Sequence, residues 1–505
     1  MTEPIISISG IRGILGKSLY PENIIKYTSA FVKYIKHKPA RRNTGAGGRV
    51  VIGRDGRLFG DRIEKIIEST LVFNGCEVIN LGMVPTPTIS LAVEALKARG
   101  GISITASHNP QEWNGMKFIN SKGIFLNKKE NDEFLSICNS NRPIRVNTWN
   151  KLKQVEYYPR FDDYHINKVL GIKFLDIKSI KKRKFKVVLD CVNSSGSLII
   201  PKLLKKLGCS VIPVDCEASG VFTRKPEPLP ENIKRTCDKV KKSKADIGII
   251  VDPDADRLVL VNEKGKPFGE EYTIVTAINN VLKHSPPKKR IAVVNLSTTR
   301  AADDVVKLFG GKIYKSPVGE INVIEKMKKV GAIIGGEGSG GVILPEVHYG
   351  RDSLVGIVLI LNELAEFNNT VSEYKKILPE YYIFKSFIPL IKGGEGDVNT
   401  EGGRPACRNV SAGRGDVNLK GGKPACRNVS AGRGDVFAQL KKKYSDYPQN
   451  EEDGLRIDFT PGTRGWVNLR KSNTEPIIRI ITEAKTKKEA QELQNYIIKE
   501  LKSLK

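Results

Sequence analysis

No stretch of the chain reaches the roughly 18 uninterrupted apolar residues that a membrane-crossing helix needs, so nothing is expected to span a bilayer. The opening MTEPIISISG lacks a basic patch followed by an apolar run; no secretory signal is expected, and a cytoplasmic location is. Cysteine is sparse, with 8 residues set far apart and no C-x-x-C pair. Without an export signal these read as reduced, mostly buried thiols, which excludes a disulfide scaffold or a zinc framework. Acidic residues are in the minority: 55 Asp+Glu face 83 Lys+Arg, a formal charge of +28. A long basic arm is also missing. The cations come in pairs and triplets such as Lys181-Lys182-Arg183 and Lys441-Lys442-Lys443. Scattered charge of this kind fits solvated faces, or a cleft for an anionic small substrate, better than a nucleic-acid track.

What is there is ordinary globular material. The 505 residues are 40% hydrophobic and 27% charged, which excludes a mainly disordered or collagen-like chain. At roughly 100–200 residues per domain the length suggests about three to five domains. Short β-type runs alternate with amphipathic stretches: Val50–Gly53 before Asp61–Phe73, Val187–Asp190 before Ser197–Leu207, then Ile247–Val251. That alternation predicts stacked α/β units. Toward the end, Ile457–Phe459, Trp466–Arg470 and Ile477–Thr482 read as strands and Lys487–Leu501 as a helix.

One segment breaks the rhythm. Gly-Asp-Val recurs at 396, 415 and 434, a spacing of 19, around the near-identical GGRPACRNVSAGR and GGKPACRNVSAGR. Copies so poor in large apolar residues cannot bury a shared face, so 393–436 reads as an exposed tandem insertion rather than a solenoid. Its Arg-Gly-Asp triplets at 414–416 and 433–435 match a cell-adhesion signal, which a chain without an export signal does not support.

Four segments carry chemistry. Thr105-Ala106-Ser107-His108-Asn109-Pro110 follows a strand-like run, and a serine in a tight Asn-Pro turn is placed as a nucleophile or phosphate carrier, or is a plain turn. Neighbouring side chains normally diverge, so His108 is expected to orient the turn rather than pair with Ser107. Lys117, expected on the following turn, can balance phosphate charge or move a proton. Asp252-Pro253-Asp254-Ala255-Asp256-Arg257 puts three carboxylates at alternate positions, a ligand set for one hard cation of the magnesium type. An EF-hand is excluded because Arg257 takes the place of the turn glycine and Pro253 stiffens the loop. Gly335-Gly336-Glu337-Gly338-Ser339-Gly340-Gly341 lacks the Gly-Lys-Ser/Thr ending of a P-loop, but offers Glu337 and Ser339, on a mobile backbone, to vicinal hydroxyls. Arg470-Lys471-Ser472-Asn473-Thr474-Glu475-Pro476 with Arg479 collects guanidinium, hydroxyl and amide donors suited to one anion.

Taken in order with Ser9-Gly10-Ile11-Arg12-Gly13, Gly53-Arg54-Asp55, DCVNSSGS (190–197) and SPVGE (316–320), these segments resemble the α-D-phosphohexomutase family, enzymes that move phosphate between C1 and C6 of a hexose. The likeness covers nearly all of the chain outside 393–436. It implies an α/β fold of four domains around a central cleft, three α/β units with mixed sheets and a smaller C-terminal sheet-and-helix domain. The expected boundaries are 1–150, 151–260, 261–392, the insertion 393–436, and 437–505. The resemblance implies that Ser107 carries the phosphoryl group, and that Asp252, Asp254 and Asp256 hold one Mg²⁺ with a phosphoserine oxygen of Ser107 completing the shell. Arg12 and Lys117 would flank the transferring phosphate, with His108 beside them in the catalytic group. Arg257, Gly319, Glu337 and Ser339 would contact substrate, and Arg470, Ser472, Asn473, Thr474 and Arg479 would clamp the idle phosphate. A hexose 1,6-bisphosphate would serve as intermediate and activator, with a hexose phosphate as substrate and a monomer or homodimer as the assembly.

One departure stands out. Many members carry histidine after the Ser-Gly of the sugar loop, where this chain has Gly341; His348 is a substitute ranked below Lys117. SISGIRG and GEGSGGVILPE look most like the phosphoglucosamine mutase branch, with phosphomannomutase/phosphoglucomutase as the alternative. Two rivals from other classes are a basic nucleic-acid-binding protein on a mutase-like scaffold and a Mg²⁺-dependent phosphatase. Neither explains why a distal anion clamp accompanies the metal loop.

Overall fold

The computed structural model describes residues 2–38, 48–140, 146–389, 436–459, 465–471 and 477–504. The chain forms two compact units, Met1–Tyr381 and Tyr382–Lys505.

The first unit contains three sheets. The opening sheet runs in the order Ile5–Ser7, Gly10–Ile14, Trp113–Asn120, Gly100–Ile104, Arg49–Arg54, Glu77–Met83 and Val155–Tyr157. Its central strands Arg49–Arg54, Gly100–Ile104 and Glu77–Met83 are parallel, and Trp113–Asn120 returns antiparallel to Gly100–Ile104. Every residue of Gly100–Ile104 is buried, the pattern of a strand covered by helices on both faces. The strand Val155–Tyr157 pairs with Glu77–Met83, so this sheet takes a strand from beyond the expected edge at 150. The second sheet orders Leu258–Asn262, Ile247–Val251, Lys186–Asp190 and Ser210–Val214. The third orders Lys312–Ser316, Ile291–Asn295, Ile334–Glu337 and Gly341–Ile343.

One apolar core serves both the second and third sheets: Val187, Leu189, Ile247 and Ile249 belong to the same cluster as Ala292, Val294, Ile334 and Val342. The helix Ser353–Phe367 (SLVGIVLILNELAEF) is buried on nearly every side within it, as a helix apolar all round must be. Among the described residues no single helix is long and apolar enough to cross a membrane.

The second unit is a five-stranded antiparallel sheet in the order Tyr382–Pro389, Ile477–Ala484, Trp466–Lys471, Leu455–Asp458 and Gln449–Asn450. The helix Lys487–Ser503 buries Ala490, Leu493, Ile497 and Leu501, and Thr486 with Glu489 forms its capping box. Tyr382–Pro389 lies inside the 261–392 stretch expected to form the third α/β unit, yet it pairs residue for residue with Ile477–Ala484. Antiparallel pairing between strands so far apart in sequence leaves no local signal, which is why the boundary reads late. The tandem segment 393–436 lies outside the described residues except for Val436, which begins the helix Val436–Lys443.

Candidate active site

Ser107 sits three residues beyond the end of the strand Gly100–Ile104 in a left-handed backbone conformation, φ 50°. The turn is held from several directions. Ser107 N donates to Thr105 Oγ1 at 2.8 Å, and Thr105 Oγ1 donates to Asp55 Oδ2 at 2.6 Å. The buried Arg57 guanidinium donates to the carbonyls of Ser107 (2.5 Å), Asn109 (2.6 Å), Pro110 (2.6 Å) and Trp113 (2.9 Å) and pairs with Asp55. A guanidinium spread over four carbonyls fixes a loop that has no ladder of its own. The left-handed turn also overrides the expectation that adjacent side chains diverge: His108 Nδ1 lies 3.3 Å from Ser107 Oγ, within hydrogen-bonding distance.

The aspartate loop follows the fully buried strand Ile247–Val251. Its three carboxylates are buried and close enough for one ion. Asp252 Oδ2 accepts from Ser107 Oγ at 3.2 Å, while Asp252 Oδ1 accepts the backbone N–H groups of Asp256 and Arg257. Asp254 Oδ2 accepts from Thr86 Oγ1 (2.8 Å) and Lys117 Nζ (2.6 Å). The other oxygens, Asp254 Oδ1 and Asp256 Oδ1, are buried and have no hydrogen-bond partner among the described residues. Buried carboxylate oxygens without a donor are costly, and a divalent cation with oxygen ligands is the group that relieves them. The donor set therefore fits a metal. Burial, then Asp256 and Asp254, pushes the Asp252 carboxyl well above the usual range. Burial acts the same way on Asp256, but Arg351, Lys117 and Arg257 outweigh it and hold that carboxyl well below. The DCVNSSGS segment props the loop from behind: Ser194 and Ser195 Oγ both donate to the Pro253 carbonyl, at 2.6 and 2.8 Å.

Cations ring the loop. Lys117 projects from the strand Trp113–Asn120, not from a turn, opposite Ser103 in the ladder. Burial lowers its pKa, but Asp254 and Asp256 more than reverse this, so the ammonium stays charged. That suits charge balance rather than proton acceptance. Arg12, on Gly10–Ile14, donates to Asn109 Oδ1 at 3.0 Å, and its Nε is buried without a partner among the described residues. Burial, then Arg257 and Arg12, holds His108 well below its ordinary pKa and therefore neutral. Glu227, which no motif flagged, lies 3.7 Å from both His108 Nε2 and Arg257 Nη1. Its Pro-Glu-Pro setting carries no chemical signature in sequence.

The glycine-rich segment is not a mobile loop. Ile334–Glu337 and Gly341–Ile343 form a tight antiparallel hairpin, with Glu337 paired across to Gly341. Glu337 is buried; its Oε1 accepts from Asn295 Nδ2 (2.8 Å) and from Gly319 N (3.0 Å). Gly319 thus acts on Glu337 through its backbone, at φ 120° and immediately before the helix Glu320–Val330. Ser339 is half-buried at the hairpin tip. The hairpin is tied to the aspartate loop, because Leu258 N donates to the Gly340 carbonyl at 2.9 Å. His348 does not join the site: its Nε2 meets Asp352 Oδ2 at 3.1 Å in a buried group with His165, which in turn meets Thr88 Oγ1. The residue that enters instead is Arg351, bonded to Asp256 and Glu337 at 2.6 Å each.

In the second unit Arg470 and Arg479 are direct cross-strand partners, so they share one face of the sheet. Arg470 Nε lies 3.3 Å from Asp453 Oδ1. Ser472, Asn473 and Thr474 lie outside the described residues. All six described cysteines are free, four of them buried and two half-buried.

A serine on a braced turn, three buried aspartates and a ring of cations make a centre for handling phosphate. The models for phosphoglucomutase/phosphomannomutase alpha/beta/alpha domains I, II and III match residues 5–144, 163–265 and 269–382, and that for the C-terminal domain matches 428–500. The chain belongs to the phosphoglucomutase/phosphomannomutase family. It is 33% identical to a phosphoglucomutase/phosphomannomutase of Thermococcus kodakarensis over 96% of this chain and 95% of that one. It is 31% identical to a phosphoglucosamine mutase of Methanocaldococcus jannaschii over 98% of each. A crystal structure of a phosphoglucomutase/phosphomannomutase family protein from Burkholderia thailandensis shares the fold, with a TM-score of 0.77 at 24% identity over 99% and 98% of the two chains.

Proposed function

We propose that the chain is a phosphohexose mutase that moves phosphate between C6 and C1 through a phosphoserine at Ser107 and a bisphosphorylated sugar, with glucosamine 6-phosphate as the preferred substrate. The observation that carries this reading is Ser107 Oγ at 3.2 Å from Asp252 in a buried aspartate triad, two of whose oxygens have no hydrogen bond among the described residues. Phosphoryl transfer leaves little covalent work to a protein, so in-line placement and charge neutralisation supply most of the rate. A magnesium ion held by Asp252, Asp254 and Asp256 would supply Lewis-acid neutralisation of the transferring group. Around it, Arg57 and Thr105 aim the Ser107 hydroxyl, and Lys117 and Arg12 offset phosphate charge. The Oγ–P bond breaks as a sugar hydroxyl takes the phosphoryl group. His108, neutral and 3.3 Å from Oγ, is placed to share the proton as that oxygen is loaded and released. Glu337 and Ser339 are assigned to sugar hydroxyls, and Arg470 and Arg479 to the phosphate that is not reacting.

Glucosamine rests on the sugar-loop sequence and on relatives such as the Methanocaldococcus jannaschii enzyme. The phosphomannomutase/phosphoglucomutase alternative rests on the Thermococcus kodakarensis relative. Turnover of glucosamine 6-phosphate, mannose 6-phosphate and glucose 6-phosphate side by side decides between them. The expected result is the highest kcat/KM on glucosamine 6-phosphate, and no isomerisation of any of the three would refute the reading. Deleting 393–436 should leave kcat and KM within about threefold, since inserted loops are thermodynamically cheap. A large loss in the soluble deletion would give that segment a role in turnover.

A further inference from the structure

Arg351 does more than fill space. Its side chain is 10% exposed and meets three carboxylates from three segments. Nη2 donates to Asp256 Oδ2 and Nη1 to Glu337 Oε2, each at 2.6 Å, while Nε lies 3.2 Å from Glu320 Oε2. Its backbone N–H also donates to Glu320 Oε1 at 3.0 Å. The path of the side chain depends on Gly341: a Cβ there would stand 2.2 Å from Arg351 Cδ and 3.0 Å from Cγ. Glu337 does not need Arg351 for its local placement, because Asn295 and Gly319 already hold its other oxygen. What Arg351 adds is a fixed span from the sugar hairpin to the cation loop.

Resting on the mutase reading above, we propose that Arg351 is a positioning residue that couples the two sites, so that cation binding at the aspartate triad and sugar-phosphate binding at Glu337 strengthen one another. The physical basis is the planar guanidinium, whose two amino groups hold two carboxylates at a set separation in a way one ammonium cannot. Asp256 turns Oδ2 to Arg351, while Oδ1 has no hydrogen bond among the described residues and only the Arg257 Nε at 3.9 Å, so the tie and a cation use different oxygens of one carboxylate. Fixing that carboxylate for the cation also fixes the far end of the guanidinium for Glu337. By linkage the effect runs equally in both directions.

The test is a titration cycle on the full chain: Mg²⁺ affinity with and without glucosamine 6-phosphate, repeated with mannose 6-phosphate and glucose 6-phosphate. In the unaltered protein, sugar phosphate should tighten Mg²⁺ about tenfold, within the ordinary range of site–site coupling. Arg351→Lys keeps the charge but loses the fork, and Gly341→Ala keeps the guanidinium but blocks its path. Both should reduce the coupling to less than about twofold, whatever they do to the affinity for Mg²⁺ alone. A merely structural residue would weaken both ligands and leave the coupling in place. Adding Gly341→Ala to Arg351→Ala should lower the coupling no further than Arg351→Ala does. Coupling retained in the Lys and Ala variants overturns the inference, as does an unaltered protein that binds both ligands independently. A protein that binds none of the three sugar phosphates overturns the mutase reading, and this inference with it.

Discussion

Replacing Ser107 with alanine should abolish isomerisation, with kcat falling by at least about 10⁴-fold, the scale seen when a covalent nucleophile is removed. On the proposed mechanism Oγ carries the phosphoryl group between its two positions, and neither the neighbouring ammonium nor the neighbouring hydroxyl can take over. Lys117 is a charged ammonium locked to Asp254, and the Thr105 hydroxyl is engaged with Asp55. The fold should survive. Ser107→Ala removes the Oγ contacts to Asp252 and His108, each worth about 1 kcal/mol, and leaves the Arg57 bonds intact because they go to backbone carbonyls. The measurement is paired: turnover, and mass spectrometry for a phosphate on residue 107. Undiminished turnover in the variant, or a Ser107 never phosphorylated in active protein, would sink the mechanism.

Asp254→Asn is expected to cost about 10³-fold in kcat with little change in KM, because it removes charge where the transferring group needs a counter-ion but leaves the sugar contacts alone. The cause is local. Asp254 Oδ2 is occupied by Thr86 and Lys117, which leaves Oδ1, without a hydrogen bond among the described residues, for a cation. An amide in that position is a poor ligand for a hard divalent ion and leaves Lys117 with a weaker partner, a destabilisation of about 1–3 kcal/mol. Chelation should mimic the kinetic loss in the unaltered protein, and Mg²⁺ should restore both activity and thermal midpoint there but neither in Asp254→Asn. Full activity after exhaustive chelation would falsify the assignment of the triad.

Much of the centre is legible in sequence because its parts are short and local. Asp252, Asp254 and Asp256 lie within five residues, and Ser107 marks its own turn through the Asn-Pro that follows. Strand–helix alternation likewise exposes the three α/β layers, since buried parallel strands read as apolar runs between amphipathic stretches. What is not legible is register and long-range pairing. Lys117 reads as a turn residue because Asn114-Gly115 looks like a turn, yet the antiparallel ladder with Gly100–Ile104 carries straight through it. The strand Tyr382–Pro389 finds its partner only across the tandem segment. Arg57, Glu227 and Arg351 escape notice for a related reason: each acts through contacts made by folding, and none sits in a motif with a chemical signature. Arg351 did leave a trace, because the glycine at 341 leaves room for a side chain to pass where a Cβ would stand.

The apolar interior common to the second and third sheets limits how the molecule can breathe. Each aliphatic side chain returned to water costs about 1.5–3 kcal/mol, so prising those layers apart by even a handful of such groups lies far outside thermal reach. Aspartate loop and glycine hairpin must then travel as one block through every cycle. Entry and exit of a sugar have to be arranged along seams joined by single polar bonds, such as Gly56 to Ser194, each of which costs only about 1 kcal/mol to exchange.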